Sequence, residues 1–150
     1  MKKFENFCRA LDNLTEIERY HPPYDTVVLT GLVALYQICF EQAWKAMKET
    51  LEQSGVETAA SGSPRTIIKE AYRLGMIHDE DAWLNALVAR NHASHAYNEA
   101  IALEVIEQTQ AIFLPLFQNL RSAAATSGRS AGCRCSGWPR SGRSGTTAPF

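Results

Sequence analysis

No part of this 150-residue sequence alternates apolar and polar residues with a period of two, so a half-buried sheet has nothing from which to form. Paired cysteines are missing as well. Cys8 and Cys39 stand alone in helix-like patterns, and Cys133-Arg134-Cys135 lacks the second ligand pair that a zinc site needs. No disulfide framework, metal or cofactor is expected, and a reducing compartment is the default. Net charge is almost absent, at −1 from 15 Lys+Arg and 16 Asp+Glu. The start, Met1-Lys2-Lys3, meets Glu5, Asn6, Arg9 and Asp12 rather than an apolar run, which predicts no signal peptide. The most apolar stretch, 26–40, is interrupted by Thr30, Gly31 and Gln37 and meets Glu41, which predicts no membrane span. The expectation is a soluble, cytoplasmic protein.

What is present is ordinary globular composition, 45% apolar and 21% charged, in a length that suits one domain. Such a chain can bury about two-thirds of its unfolded surface and needs no staple. The small net charge conceals an asymmetry. Residues 1–121 carry 11 Lys+Arg and 16 Asp+Glu, a net of −5, whereas residues 122–150 carry four arginines and no acid. That second segment has no Val, Ile, Leu or Lys and repeats Ser-Gly-Arg-Ser at 127–130 and 141–144. Its composition predicts a disordered, basic Ser/Gly/Arg-rich extension, foreign to the fold, beside a helical domain over 1–121. Arg129, Arg134, Arg140 and Arg143 also allow a phosphate-touching arm.

Within 1–121 apolar residues recur at three and four, so the fold class is all-α. A first helix is predicted from Lys3 to Arg19, ending before Pro22-Pro23, and a second from Thr26 to Gln53, capped by Asp25 or Thr26. The first half of the second helix is apolar nearly all round, which places it in the middle of a bundle. Ser63-Pro64 opens a short third helix that stops at Gly75. Asp79-Glu80-Asp81 starts a fourth helix, and a fifth runs from Asn98 to Leu120 with a kink expected at Pro115. Short connections make this an up-and-down antiparallel bundle of four long helices plus one short helix.

Reactive side chains gather in one place, Arg90-Asn91-His92-Ala93-Ser94-His95-Ala96-Tyr97. On a straight helix Arg90 and Tyr97 share a face to within about 20°, while Arg90 and His95 diverge by about 140°. Arg90 and His95 therefore meet only if the helix breaks or if a two-fold dimer brings two copies of the segment to one cleft. Arginine can grip a phosphate as charge builds in a transition state, and histidine can take a proton from a ribose 2′-hydroxyl or give one to a leaving oxygen. Together they suit RNA cleavage by internal transesterification, with Asn91 and Ser94 orienting the phosphate or the imidazole. Each residue also has a plainer reading: Arg90 as a partner of the helix dipole, His95 and Tyr97 as hydrogen-bonded structural groups, and His92 with His95 as a metal pair that has no carboxylate beside it. His21 and His78 read as caps or surface groups, and Trp44 and Trp83 as core anchors.

Arg90-x4-His95-x-Tyr97 resembles the signature of HEPN domains, specifically the small proteins encoded beside a minimal nucleotidyltransferase. Phe40-Glu41-Gln42-Ala43-Trp44-Lys45, Leu51 to Gly55, Ser63-Pro64-Arg65, Glu70-Ala71-Tyr72, Gly75-Met76-Ile77 and Trp83-Leu84 resemble that family's recurring blocks, over residues 3–120. The resemblance implies a homodimeric helical bundle with Arg90 and His95 as catalytic residues of a metal-independent endoribonuclease toxin. Its RNA would be a transfer or messenger RNA, with neither DNA nor a membrane as partner. It further implies a cognate nucleotidyltransferase that neutralises the toxin by adding AMP to Tyr97, where a bulky anion two residues from His95 would repel RNA. The alternative is a non-catalytic nucleotide- or substrate-binding subunit of that transferase, which the net −5 on the body favours. A dimeric scaffold without activity is a third reading.

Overall fold

The computed structural model describes residues 2–128. Helix α1 spans Lys2–Leu14 and continues as a tighter 3-10 segment, Thr15–Arg19. Thus the last turn of the predicted first helix is wound to i→i+3 spacing, a common way for a helix to end. After Pro22 and Pro23, α2 runs Thr26–Gln53, with Asp25 accepting from the Val28 N–H at 2.9 Å. The other helices are α3 (Pro64–Arg73), α4 (Glu80–His92), α5 (Glu99–Gln108) and α6 (Leu114–Gly128). Among the described residues there is no strand. The chain is an all-α bundle.

Two glycines end helices in the same way. Gly55 (φ 85°) and Gly75 (φ 82°) take the left-handed backbone that side chains resist. The following residues close the turn: Val56 N–H reaches the Leu51 carbonyl at 3.0 Å, and Met76 N–H reaches that of Ala71 at 2.9 Å. Ser63 caps α3 ahead of Pro64, and Asp79 caps α4 by accepting from the Ala82 N–H at 3.0 Å.

The predicted kink at Pro115 takes a different form. A π turn, Thr109–Phe113, joins α5 to α6 as one rod, with the Leu114 N–H bonded to the Thr109 carbonyl five residues back. The wider turn lies immediately before the proline, so Pro115 falls in the first turn of α6, where a missing N–H does little harm. The extra residue also rotates the apolar stripe. Phe113 is buried, whereas its apolar neighbour Ile112 is exposed. The rod also crosses position 121: α6 runs to Gly128, and Ala124 is buried. The four tail arginines, Cys133 and Cys135 lie outside the described residues.

Aromatic rings fill the centre. Tyr36 stacks on Phe113 and Phe117 at 5.4 and 6.1 Å, Phe7 meets Phe117 edge-on, and Trp83 lies 5.4 Å from Phe117. The Tyr36 hydroxyl donates to the Ala86 carbonyl on α4. Five residues further along α2 and four further along α4, Glu41 meets Arg90. The two contacts advance together, so α2 and α4 run in the same sense, as alternate members of an up-and-down order do.

Helix α2 is not enclosed, contrary to its composition. Val27 is 81% exposed and Ile38 53%, and with exposed Gly31 they mark one uncovered stripe. By length and composition alone, α2 and the rod over 99–124 are long and apolar enough to cross a bilayer. The expectation drawn from the interrupted stretch 26–40 is corrected in that respect, because the helix itself is 28 residues long. Both helices nevertheless give their Tyr36, Phe40, Phe113 and Phe117 faces to the bundle core.

Candidate active site

Helix α4 ends at His92, and a 3-10 turn, Ala93–His95, follows it. Asn98 then starts α5, its side chain accepting from the Ala100 and Ile101 N–H groups at 2.9 and 3.4 Å. Of the two conditions under which Arg90 and His95 could meet, a break in the α-helix between them is present: α4 gives way to the 3-10 turn after His92. The break also corrects the expectation that Arg90 and Tyr97 share a helical face, since no single helix contains both.

Arg90 occupies the last turn of α4 with its side chain 28% exposed. Its Nε donates to Glu41 Oε2 of α2 at 2.6 Å, its Nη2 contacts the same oxygen, and its Nη1 donates to Asn91 Oδ1 at 3.0 Å. The guanidinium also lies over the Phe40 ring, 5.9 Å from its centre. Asn91 is thus an orienting residue for Arg90. Ser94 donates to the Asn91 carbonyl at 2.9 Å, so its hydroxyl serves the turn. His95 is exposed, and its ring meets that of Tyr97 edge-on with centroids 6.2 Å apart. Tyr97 is 87% exposed, more than any other large apolar or aromatic side chain of the core domain. A ring that size projecting into water at a helix break is open to a partner.

Glu41 is the site residue that sequence reasoning did not single out. It lies 49 residues before Arg90, and only the block Phe40 to Lys45 pointed to its neighbourhood. Its other oxygen, Oε1, accepts from Trp44 Nε1 at 3.2 Å, and Lys45 Nζ stands 3.9 Å away. Trp44 is therefore only partly buried and holds the carboxylate, whereas Trp83 is the core anchor that was expected. Among the described residues, no three His, Cys, Asp or Glu side chains converge as a metal site would require. Two concavities lie elsewhere. A cavity of about 170 Å³ is lined by Met76, His78, Trp83, Leu116 and Leu120, and a broader groove of about 430 Å³ by Glu16, Tyr20, Val28 and Leu35. Neither includes Arg90 or His95. With His95 and Tyr97 exposed beside the end of α4, the candidate site is reachable by a large substrate.

A family model described as nucleotidyltransferase substrate binding protein like matches residues 2–125, nearly the whole described bundle. The chain belongs to this family. Among curated proteins it is 31% identical, over 86 residues, to "Probable ribonuclease HepT" of Haemophilus influenzae, covering 56% of this chain. The chain spans 58% of the length of that relative. As a nucleotidyltransferase substrate binding protein like chain, it carries its reactive cluster at the α4–α5 break, outside the packed core.

Buried thiols offer no rival chemistry. Cys8 and Cys39 are buried, and burial pushes the Cys39 thiol well above its ordinary range, which keeps it protonated and unreactive.

Proposed function

We propose that this nucleotidyltransferase substrate binding protein like chain is a HEPN-type endoribonuclease toxin of the cytoplasm, in which Arg90 and His95 carry out the chemistry without a metal. The observation that carries the reading is the break in α4. It leaves a half-buried, pre-oriented guanidinium in the last turn of α4 and an exposed imidazole at the end of the three-residue turn that follows. The name of the Haemophilus influenzae relative supports the same reaction class.

In this mechanism a ribose 2′-oxygen attacks the adjacent phosphorus as His95 takes its proton. The bond from phosphorus to the 5′-oxygen then breaks, and that oxygen is protonated as it leaves. The products are a 2′,3′-cyclic phosphate and a 5′-hydroxyl. Arg90 binds the non-bridging oxygens, where charge accumulates in the transition state. A homodimer would supply a second imidazole, so that one His95 acts as base and the other as acid. The RNA is a transfer or messenger RNA. Control comes from a cognate nucleotidyltransferase that adds AMP to Tyr97, whose exposure leaves its hydroxyl accessible. The modification places phosphate next to His95 and repels the RNA backbone.

The second reading, a non-catalytic subunit that presents nucleotide or substrate to the transferase, is favoured by one observation. Arg90 is already neutralised by Glu41 on a body that carries a net −5. Incubating purified protein with transfer RNA in the presence of chelator separates the two. The nuclease reading predicts cyclic-phosphate ends from wild type and none from His95→Ala. Equal cleavage by both would assign the activity to a contaminant, and no cleavage by either, with stable binding to the transferase, would favour the passive subunit.

A further inference from the structure

We propose that Glu41 is a positioning residue for the nuclease chemistry, a carboxylate that clamps Arg90 by one edge and leaves its terminal nitrogens for phosphate. The proposal rests on the reading of Arg90 as the phosphate-binding group. Three independent contacts fix the guanidinium plane: Glu41 Oε2 on the Nε/Nη2 edge, Asn91 Oδ1 on Nη1, and the Phe40 ring beneath. Guanidinium has five N–H donors, one on Nε and two on each terminal nitrogen. The protein contacts on Nη1 and Nη2 occupy one donor each, so each terminal nitrogen keeps a second N–H. Those two donors are available to phosphate oxygens.

The carboxylate is itself held. Trp44 Nε1 bonds Oε1 at 3.2 Å, which leaves Oε2 for Arg90. Glu41 and Trp44 are one turn apart on α2, whereas Arg90 is on α4. The order Trp44, Glu41, Arg90 therefore ties a side chain in the last turn of a shorter helix to the long one. Both partners of the pair are about equally accessible, 28% for Arg90 and 29% for Glu41. That degree of burial shields the pair from full solvent screening while leaving the guanidinium open to solute.

A clamp of this kind has two opposing effects on phosphate. The negative charge of Glu41 weakens ground-state attraction for RNA, while the fixed orientation aids the transition state, where geometry counts most. A simple tie between α2 and α4 would affect melting temperature and neither of these. Glu41→Gln removes the charge and half of the acceptor capacity. It is expected to lower kcat about tenfold to a hundredfold through misplacement of Arg90. The same variant should bind a 2′-O-methyl oligoribonucleotide, which has no free 2′-hydroxyl to react, about twofold to tenfold more tightly. In an Arg90→Ala background the loss of kcat on Glu41→Gln should vanish, because the carboxylate acts on the chemistry through the guanidinium.

Kinetics on a cleavable RNA and equilibrium binding of the 2′-O-methyl oligonucleotide test this on the full chain. A Glu41→Gln protein with wild-type kcat, or one that binds the oligonucleotide no more tightly than wild type, overturns the clamp. If wild type itself cleaves nothing, the nuclease reading falls, and the clamp as a catalytic device falls with it. Wild-type cleavage with an unaffected variant removes the clamp alone. If Glu41→Gln loses the wild-type helical signal, Glu41→Asp decides. It keeps the charge but withdraws the carboxylate by one methylene, so kcat should fall with oligonucleotide affinity unchanged, and a wild-type kcat would overturn the proposal.

Discussion

Helices α2 and α4 meet twice within two turns, once in the dark and once at the surface. At Ala86 the contact is a Tyr36 hydroxyl donating to a backbone carbonyl, sealed among Phe113, Phe117 and Phe40. At Arg90 it is an ion pair open to solvent by a little under a third. The inner contact is neutral and fully enclosed, because an unpaired charge there would cost far more than its packing returns. The outer contact keeps its charge because water still reaches it. The core thus supplies rigidity to a site that it does not enclose, and the two regions should respond to substitution in opposite ways.

Trp83→Ala should give the largest change in stability. The side chain is 1% exposed and touches Phe40 and Phe117, so removing it should cost about 3–5 kcal/mol, read from denaturant unfolding. Any residual folded protein should retain its turnover per molecule; a variant that melts normally would break the comparison.

Tyr36→Phe is expected to cost about 1 kcal/mol at neutral pH, by leaving the Ala86 carbonyl without its donor. It also sharpens the contrast through pH. Burial pushes the Tyr36 phenol well above its ordinary value, so the folded state holds a proton that the unfolded state releases first. That contribution to stability is fully present below about pH 10, the ordinary tyrosine value, and is lost as pH rises beyond it. Alkaline unfolding curves should therefore fall more steeply for wild type than for Tyr36→Phe, and parallel curves would contradict the burial argument.

Tyr97→Phe should have the smallest effect on the fold, within about 0.5 kcal/mol, as befits a surface group. Its informative readout is intact mass after incubation with the cognate transferase and ATP. Wild type should gain AMP and the phenylalanine variant should gain none; modification of both would place the acceptor elsewhere.

Much of the fold was legible because its signals are local. Asp25, Ser63-Pro64, Asp79, Gly55 and Gly75 each act on backbone groups within one turn, and all five serve as caps or stops where their chemistry places them. The π turn was not legible, since Pro115 announces only that an i→i+4 bond is missing and several backbone adjustments can absorb that. Nor was the exposed stripe of Val27 and Ile38, because composition shows that a helix is apolar without showing how many neighbours it has. At the site, the cluster from Arg90 to Tyr97 was visible as a gap in the apolar pattern. Its decisive partner was not: Glu41 reads as one of several polar residues on the outer face of α2 until the folded chain sets it against Arg90.

The proposed chemistry requires one phosphate to be served by both Arg90 and His95. It is tested most directly by titrating full-length protein with the 2′-O-methyl oligonucleotide while following the Arg90 Nε–H and the His95 ring by nitrogen-edited NMR. Both resonances should shift together along one binding curve, and inorganic phosphate should compete. Movement of only one of them, or two curves with different midpoints, would contradict it.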